Sequence, residues 1–164
     1  MQSKILVTAI TTLALLVAGC GGGSGSSKYS SSASPSPSPA ATGEKIAAAT
    51  NAKLGQVLVD ESGMTVYLFM ADSGTASTCY TSCAAIWPPV LTTGSPQAGA
   101  GAQASLLGTT TRTDGKVEVT YAGHPLYYFV QDKKAGDVTG QGINGFGGLW
   151  WVLAPSGTAV ETKA

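Results

Sequence analysis

The chain has 164 residues, with nine Lys and Arg against nine Asp and Glu, so its formal charge at pH 7 is zero. Only 11% of the residues are charged and no basic patch is present, which excludes nucleic acid as an expected partner. Few charges with many Gly, Ser, Thr and Ala suit an exported β-protein with long loops.

Residues 1–19 read as a leader. Met1 to Lys4 form a short positive start, and Ile5 to Val17 form an apolar stretch. That stretch is too short to cross ~30 Å of hydrocarbon. An uncleaved transmembrane helix is the alternative, but Gly21-Gly22-Gly23 ends the apolar run too early for it. The run Leu16-Val17-Ala18-Gly19-Cys20 resembles the processing site of a bacterial lipoprotein. The resemblance implies cleavage before Cys20 and lipid on its sulfur. It implies a place on the extracytoplasmic face of the bacterial cell membrane, with the membrane as a partner through the anchor. One acyl chain holds a protein only marginally, whereas a diacyl anchor supplies two. Losing the leader removes Lys4 alone, leaving eight basic and nine acidic residues.

Residues 20–44 are expected to form the lipidated start and a disordered tether. Gly21 to Ser27 are flexible in composition, and Ser34-Pro35-Ser36-Pro37-Ser38-Pro39 is stiffer, because each Pro fixes φ and restricts its predecessor. Such a segment cannot bury a core. A folded domain is expected over 45–158, with 159–164 as a tail.

Within the domain, Lys45 to Ala52 reads as a first strand, although its alanines also suit a helix. Val57 to Val59, a turn at Asp60 to Gly63, and Met64 to Met70 read as a hairpin. Ala85-Ile86-Trp87 reads as an aromatic strand. Asp114-Gly115 between Thr109–Arg112 and Lys116–Tyr121 predicts another hairpin. In its second strand Val117, Val119 and Tyr121 share one face, so Glu118 and Thr120 are expected to point outward. Leu126 to Val130 and Leu149 to Leu153 are apolar on both faces and read as central strands.

Sliding the chain by sixty positions aligns it with itself. Val57 meets Val117, Gly63 meets Gly123, Tyr67 meets Tyr127, Phe69 meets Phe129 and Asp72 meets Asp132. The copies span about 54–93 and 107–155, and each carries Tyr-x-Phe-x-x-Asp. With Cys79-Tyr80-Thr81-Ser82-Cys83, Trp87-Pro88-Pro89 and the stretch from Gly140 to Trp150, the chain resembles the bacterial lipoprotein family with a Tyr-x-aromatic-x-x-Asp motif. That family is known as a secreted repeat of unknown function. The resemblance implies an exported, anchored domain and no assigned activity or catalytic residue.

Tyr67 and Phe69, like Tyr127 and Phe129, project from one face of a strand and are expected in the core. An aromatic ligand platform is the sharper alternative. Asp72 and Asp132 are expected to accept backbone N–H bonds at the strand ends, with a carboxylate pair for acid–base chemistry as the alternative. With Cys20 on lipid, Cys79 and Cys83 are left to form a disulfide outside the cytoplasm. Otherwise they are a redox pair or a soft metal site. No metal or other cofactor is expected. The alternative is copper held by Met64 and His124, repeat-equivalent residues after the turn glycines, with Cys79 and Cys83. The glycines from Gly140 to Gly145 have dinucleotide-fingerprint spacing but cannot open a helix. They are expected to pack beside Trp150 or Trp151. Every nucleophilic triad would have to share the lone His124, so no catalytic set is expected.

These features together predict an all-β fold, a compact antiparallel sandwich or barrel of two related hairpin-containing repeats. Its expected role is non-enzymatic binding of an unidentified envelope protein or small ligand. The alternative role is that of an extracytoplasmic redox or copper protein.

Overall fold

The computed structural model describes residues 42–163. The expected leader (1–19), the expected lipid site Cys20 and the expected tether up to residue 41 lie outside the described residues. The elements, in chain order, are β1 (Thr42–Asn51), β2 (Gly55–Asp60), β3 (Tyr67–Phe69), a short helix α1 (Ser82–Ile86), β4 (Ser95–Ala98) and a 3-10 turn (Ala104–Leu106). They continue with β5 (Leu107–Thr111), β6 (Val117–Tyr121), β7 (His124–Pro125), β8 (Asn144–Gly145) and β9 (Gly148–Val152). The protein is all-β, built from small sheets ordered β2-β1-β4, β3-β9-β8 and β5-β6-β7. All strand pairs are antiparallel except β1 with β4.

Local chemistry sets the turns. Asn51 Oδ1 accepts from the N–H groups of Lys53 and Leu54, and Gly55 at φ 76° carries the chain back into β2. Between β5 and β6, Gly115 sits at φ 80° and donates to Arg112 O, while Arg112 N–H donates to Lys116 O. A glycine in the left-handed region after a tight turn is the arrangement that Asp-Gly favours in a hairpin.

The two copies meet at Tyr67 and Tyr127. Tyr67 N–H donates to Tyr127 O at 2.8 Å and Tyr127 N–H donates to Tyr67 O at 3.0 Å. This reciprocal bridge lies where a pseudo-twofold axis between the repeats would pass. On either side, the alternation of side chains feeds two cores. Val57 and Val59 of β2, with Tyr67 and Phe69 of β3, enter one core beside Trp87, Tyr127, Phe129 and Trp150. Leu58 and Leu68, one residue out of phase, enter the other beside Val119, Tyr121, Leu126 and Leu153. Both faces of these strands are buried, so their sequences read as continuous apolar runs.

Several expectations need correction. The strand expected over Met64–Met70 narrows to Tyr67–Phe69, because Asp60 Oδ1 accepts from Ser62 and Met64 N–H and holds the preceding residues in a turn. Ala85-Ile86-Trp87 is no strand. Ser82–Ile86 forms one turn of helix, with Trp87 N–H donating to Cys83 O at 2.7 Å. Alanines favour that helix, and the Cys79–Cys83 link ties its second residue to the loop before it. Leu126–Val130 lies in the core without forming a strand; Tyr127 takes only isolated bridges to Tyr67 and Pro89. The face assignment of β6 also fails: Glu118 and Thr120 are buried, while Val117 is 37% exposed. Among the described residues, β1 already includes Thr42, ahead of the expected start at Lys45, and pairing reaches Val160, whose N–H donates to Val152 O.

Candidate functional site

The motif residues form two crossed pairs. Tyr67 Oη donates to Asp132 Oδ2 at 2.7 Å, and Tyr127 Oη donates to Asp72 Oδ2 at 2.7 Å. Each tyrosine is thus completed by the carboxylate of the other repeat. The remaining oxygen of each aspartate orders the loop that follows it. Asp72 Oδ1 accepts from the N–H and hydroxyl of Thr78, and Asp132 Oδ1 accepts from the N–H and hydroxyl of Thr139. Thr78 and Thr139 are functional partners that the sequence reading missed. Sliding by sixty leaves them one residue out of register, so no repeat match marks them. Burial, and then Asp132, push the Tyr67 phenol far above its ordinary range. Burial does the same for Tyr127, with the Glu118 charge next.

Inside the clasp, four rings stack in the order Phe69, Trp150, Trp87, Phe129. Centroid separations are 4.0, 4.0 and 4.3 Å. The repeats alternate along this column. Tyr67 meets Trp87 edge-on at 5.4 Å, and Tyr127 meets Trp150 edge-on at 5.1 Å. Edge-to-face contact sets the positive ring edge against the negative ring face. All four stacked rings are buried, so the motif aromatics offer no open platform to a ligand.

The loop after the first motif is held by covalent and ionic links. Cys79 and Cys83 form a disulfide, as the sequence led one to expect, with their Cα atoms 5.2 Å apart. Its small closed ring limits the entropic contribution to about 2 kcal/mol. Arg112 Nη2 donates to Cys79 O at 2.6 Å, and Arg112 Nη1 donates to Ser77 Oγ at 2.8 Å and Glu118 Oε2 at 2.7 Å. The Tyr80 ring covers the guanidinium at 4.4 Å. Tyr127 Oη also lies 2.7 Å from Ser77 Oγ, so the clasp and the ion pair form one network. Burial pushes the Glu118 carboxyl up to about 7, against the lowering effect of Arg112. Burial lowers Arg112, but Glu118 more than offsets this and its pKa is raised. An arginine beside an Asp-Gly turn and a lone Glu on a strand look like surface charges in sequence, and only the fold brings them inside.

The loop after the second motif is ordered by glycines instead. A Cβ on Gly140 would lie 2.7 Å from the Trp87 ring and 3.0 Å from the Tyr67 ring. Gly142, at φ 70°, would place a Cβ 2.9 Å from Trp151. The loop therefore packs on tryptophans, mainly Trp87 and Trp151. Trp150 Nε1–H donates to Gly145 O at 3.2 Å.

His124 lies in β7 opposite Tyr121, and Met64 sits at the other hairpin tip with its N–H bonded to Asp60. The disulfide takes both sulfurs from the alternative copper set of Met64, His124, Cys79 and Cys83. Among the described residues, no group of three or more His, Cys, Asp or Glu converges as a metal site.

At the surface, a cleft of about 690 Å³ is lined by residues including Glu44, Glu61, Leu91, Thr92, Lys116 and Val117. A second, of about 510 Å³, shares Thr92, Thr93 and Val117 with it and continues over Ser95 and Thr109. Burial, with the nearby charges of Asp60 and Glu61, raises the Glu44 carboxyl above its usual range.

No curated protein and no solved structure matches the chain. A family model described as a secreted repeat of unknown function matches residues 48–91 and 108–154, over half of the chain. The matched segments are the two copies whose tyrosines and aspartates cross, and the chain belongs to this family of secreted repeats of unknown function.

Proposed function

We propose that the protein is an extracytoplasmic, lipid-anchored interaction module without catalytic activity. The observation that carries this reading is the crossed Tyr67–Asp132 and Tyr127–Asp72 clasp. It commits the carboxylates and phenols best suited to chemistry to holding two repeats together. The adjoining clefts over Thr92, Thr93 and Val117 are left as the surface for an envelope protein or small ligand. The exposed hydroxyls of Thr93, Ser95 and Thr109, with Glu44, Glu61 and Lys116 and the partly exposed Leu91 and Val117, suit reversible recognition of a mixed polar and apolar surface. The family's description as a secreted repeat supports a place outside the cytoplasm. The run ending at Cys20 supports the anchor.

The test is turnover on a broad panel of extracytoplasmic substrates. The expected result is none above background. Robust hydrolysis that disappears on changing one acidic residue overturns the reading. The copper or redox alternative is separated by metal analysis and a thiol count on protein from its native compartment. Stoichiometric copper, or free thiols at Cys79 and Cys83, would favour it instead.

A further inference from the structure

The hairpin of β8 and β9 carries an aromatic side chain in an unusual place. Phe146 and Gly147 form its two-residue tip, at φ 57° and 94°, between paired Gly145 and Gly148. Positive φ at both tip positions is the geometry that Asn-Gly and Gly-Gly adopt, and a bulky residue there is strained. Phe146 is also 49% exposed, so burial offsets only part of the strain.

The tip is rigidly mounted. Trp150, in the middle of the buried ring column, donates its indole N–H to Gly145 O. A Cβ on Gly148 would lie 2.9 Å from the Phe69 ring and 3.0 Å from Ala71, so the hairpin rests closely on β3 and the residues after it. Behind the tip, Met70 N–H donates to Leu149 O, and these two side chains are 50% and 37% exposed. Three exposed large apolar residues thus lie at this stiff hairpin or on the segment bonded to it. No charged residue occurs from Val138 to Val160.

We propose that this tip inserts into the interface of the membrane that carries the chain, with phospholipid as its ligand. The proposal rests on the anchor at Cys20. Three exposed side chains are too few for a stable protein interface, which needs about 800 Å² from each partner. A bilayer can deform around such a tip and accepts aromatic and aliphatic side chains in an uncharged setting. The leash from Cys20 to Thr42 is 22 residues long. Its fully extended reach is about 75 Å, so the domain stays close to the bilayer and a weak contact suffices. Insertion would orient the domain relative to the membrane.

Oxidation of Met70 by hydrogen peroxide, mapped by mass spectrometry, reads the contact, with half-buried Met64 as internal reference. The lipidated mature chain is placed on vesicles of phosphatidylcholine and phosphatidylglycerol. It is compared with the same chain carrying Cys20→Ala, free in buffer. The expected result is at least about three-fold slower oxidation of Met70 on vesicles, with Met64 unchanged, and loss of that protection in Phe146→Ser. Equal Met70 oxidation in the two forms overturns the proposal, as does protection that survives Phe146→Ser. Protection that grows with protein density at fixed lipid indicates a second copy at the tip and overturns it too. Absence of lipid on Cys20, seen by mass, defeats the anchor reading and this inference with it. Unprotected Met70 on a lipidated chain defeats the inference alone.

Discussion

Tyr67 Oη lies 2.7 Å from Asp132 Oδ2 in the other copy of the repeat, and Tyr127 repeats the contact with Asp72. The motif is contiguous in sequence, yet no copy satisfies its own tyrosine. The ring column has the same property, since Phe69 stacks on Trp150 and Phe129 on Trp87. The repeat is therefore half of a structural unit rather than a unit that has been doubled.

One consequence concerns the halves. Residues 42–102 and 103–163 are each expected to be unfolded alone, because each would expose one phenol, one tryptophan and one phenylalanine meant for the other. Mixing them is expected to restore folded signal. Amide dispersion by NMR is the measurement, and a well-dispersed spectrum from either half alone would contradict the clasp as the organising contact.

Removing one hydroxyl probes the clasp directly. Tyr67→Phe leaves buried Asp132 without its phenolic donor and is expected to cost about 1–3 kcal/mol in urea unfolding. Tyr127→Phe should cost less, because Asp72 is only half-buried and water can replace the phenol. Equal or reversed losses would show that burial of the carboxylate does not set the scale.

Much of this architecture is legible in the sequence, and the limits have physical reasons. The all-β class, the duplicated hairpin and the Asp-Gly turn follow from periodicity and turn chemistry. The disulfide follows from cysteine count and compartment. The pairing of Tyr67 with Asp132 is a long-range contact, and nothing local distinguishes it from a pairing within one repeat. Alternation alone sends Glu118 outward, but β6 is covered on both faces and Arg112 reaches back across the hairpin to neutralise it. The short helix at Ser82 escaped because the apolar run Ala84 to Trp87 is too brief for periodicity to separate helix from strand.

The glycine loop offers a packing test. Gly140→Ala would drive a methyl group into the buried rings of Trp87 and Tyr67, which pack edge to face against each other and have no room to swing away. The expected loss is about 1–3 kcal/mol, with altered tryptophan emission. Gly145→Ala, whose Cβ would meet only Ile143 at 3.9 Å, serves as the control and is expected to lose less. Similar losses at both positions would mean that glycine is needed for chain flexibility rather than for contact with the rings.

The buried ion pair predicts an unusual pH dependence. The folded pKa of Glu118 is about 7, above the ordinary value of 4.5. Between these values the native state holds a proton that the unfolded chain has released, so unfolding is favoured as pH rises. The contribution of this group is fully present below 4.5 and is lost as pH climbs through about 7. Glu118→Gln is expected to flatten stability across that window. Arg112→Met strips the carboxylate of its only guanidinium and raises its pKa further. Breaking a buried pair in this way costs about 3–5 kcal/mol, and that loss is expected near pH 8. Near pH 5 the loss should be smaller, because Glu118 then takes up a proton and no bare charge remains buried. Urea unfolding of the wild type and both variants at the two pH values measures the difference. A penalty for Arg112→Met that does not change with pH would mean that its packing under Tyr80 and its bonds to Ser77 and Cys79, rather than its charge, hold the loop in place.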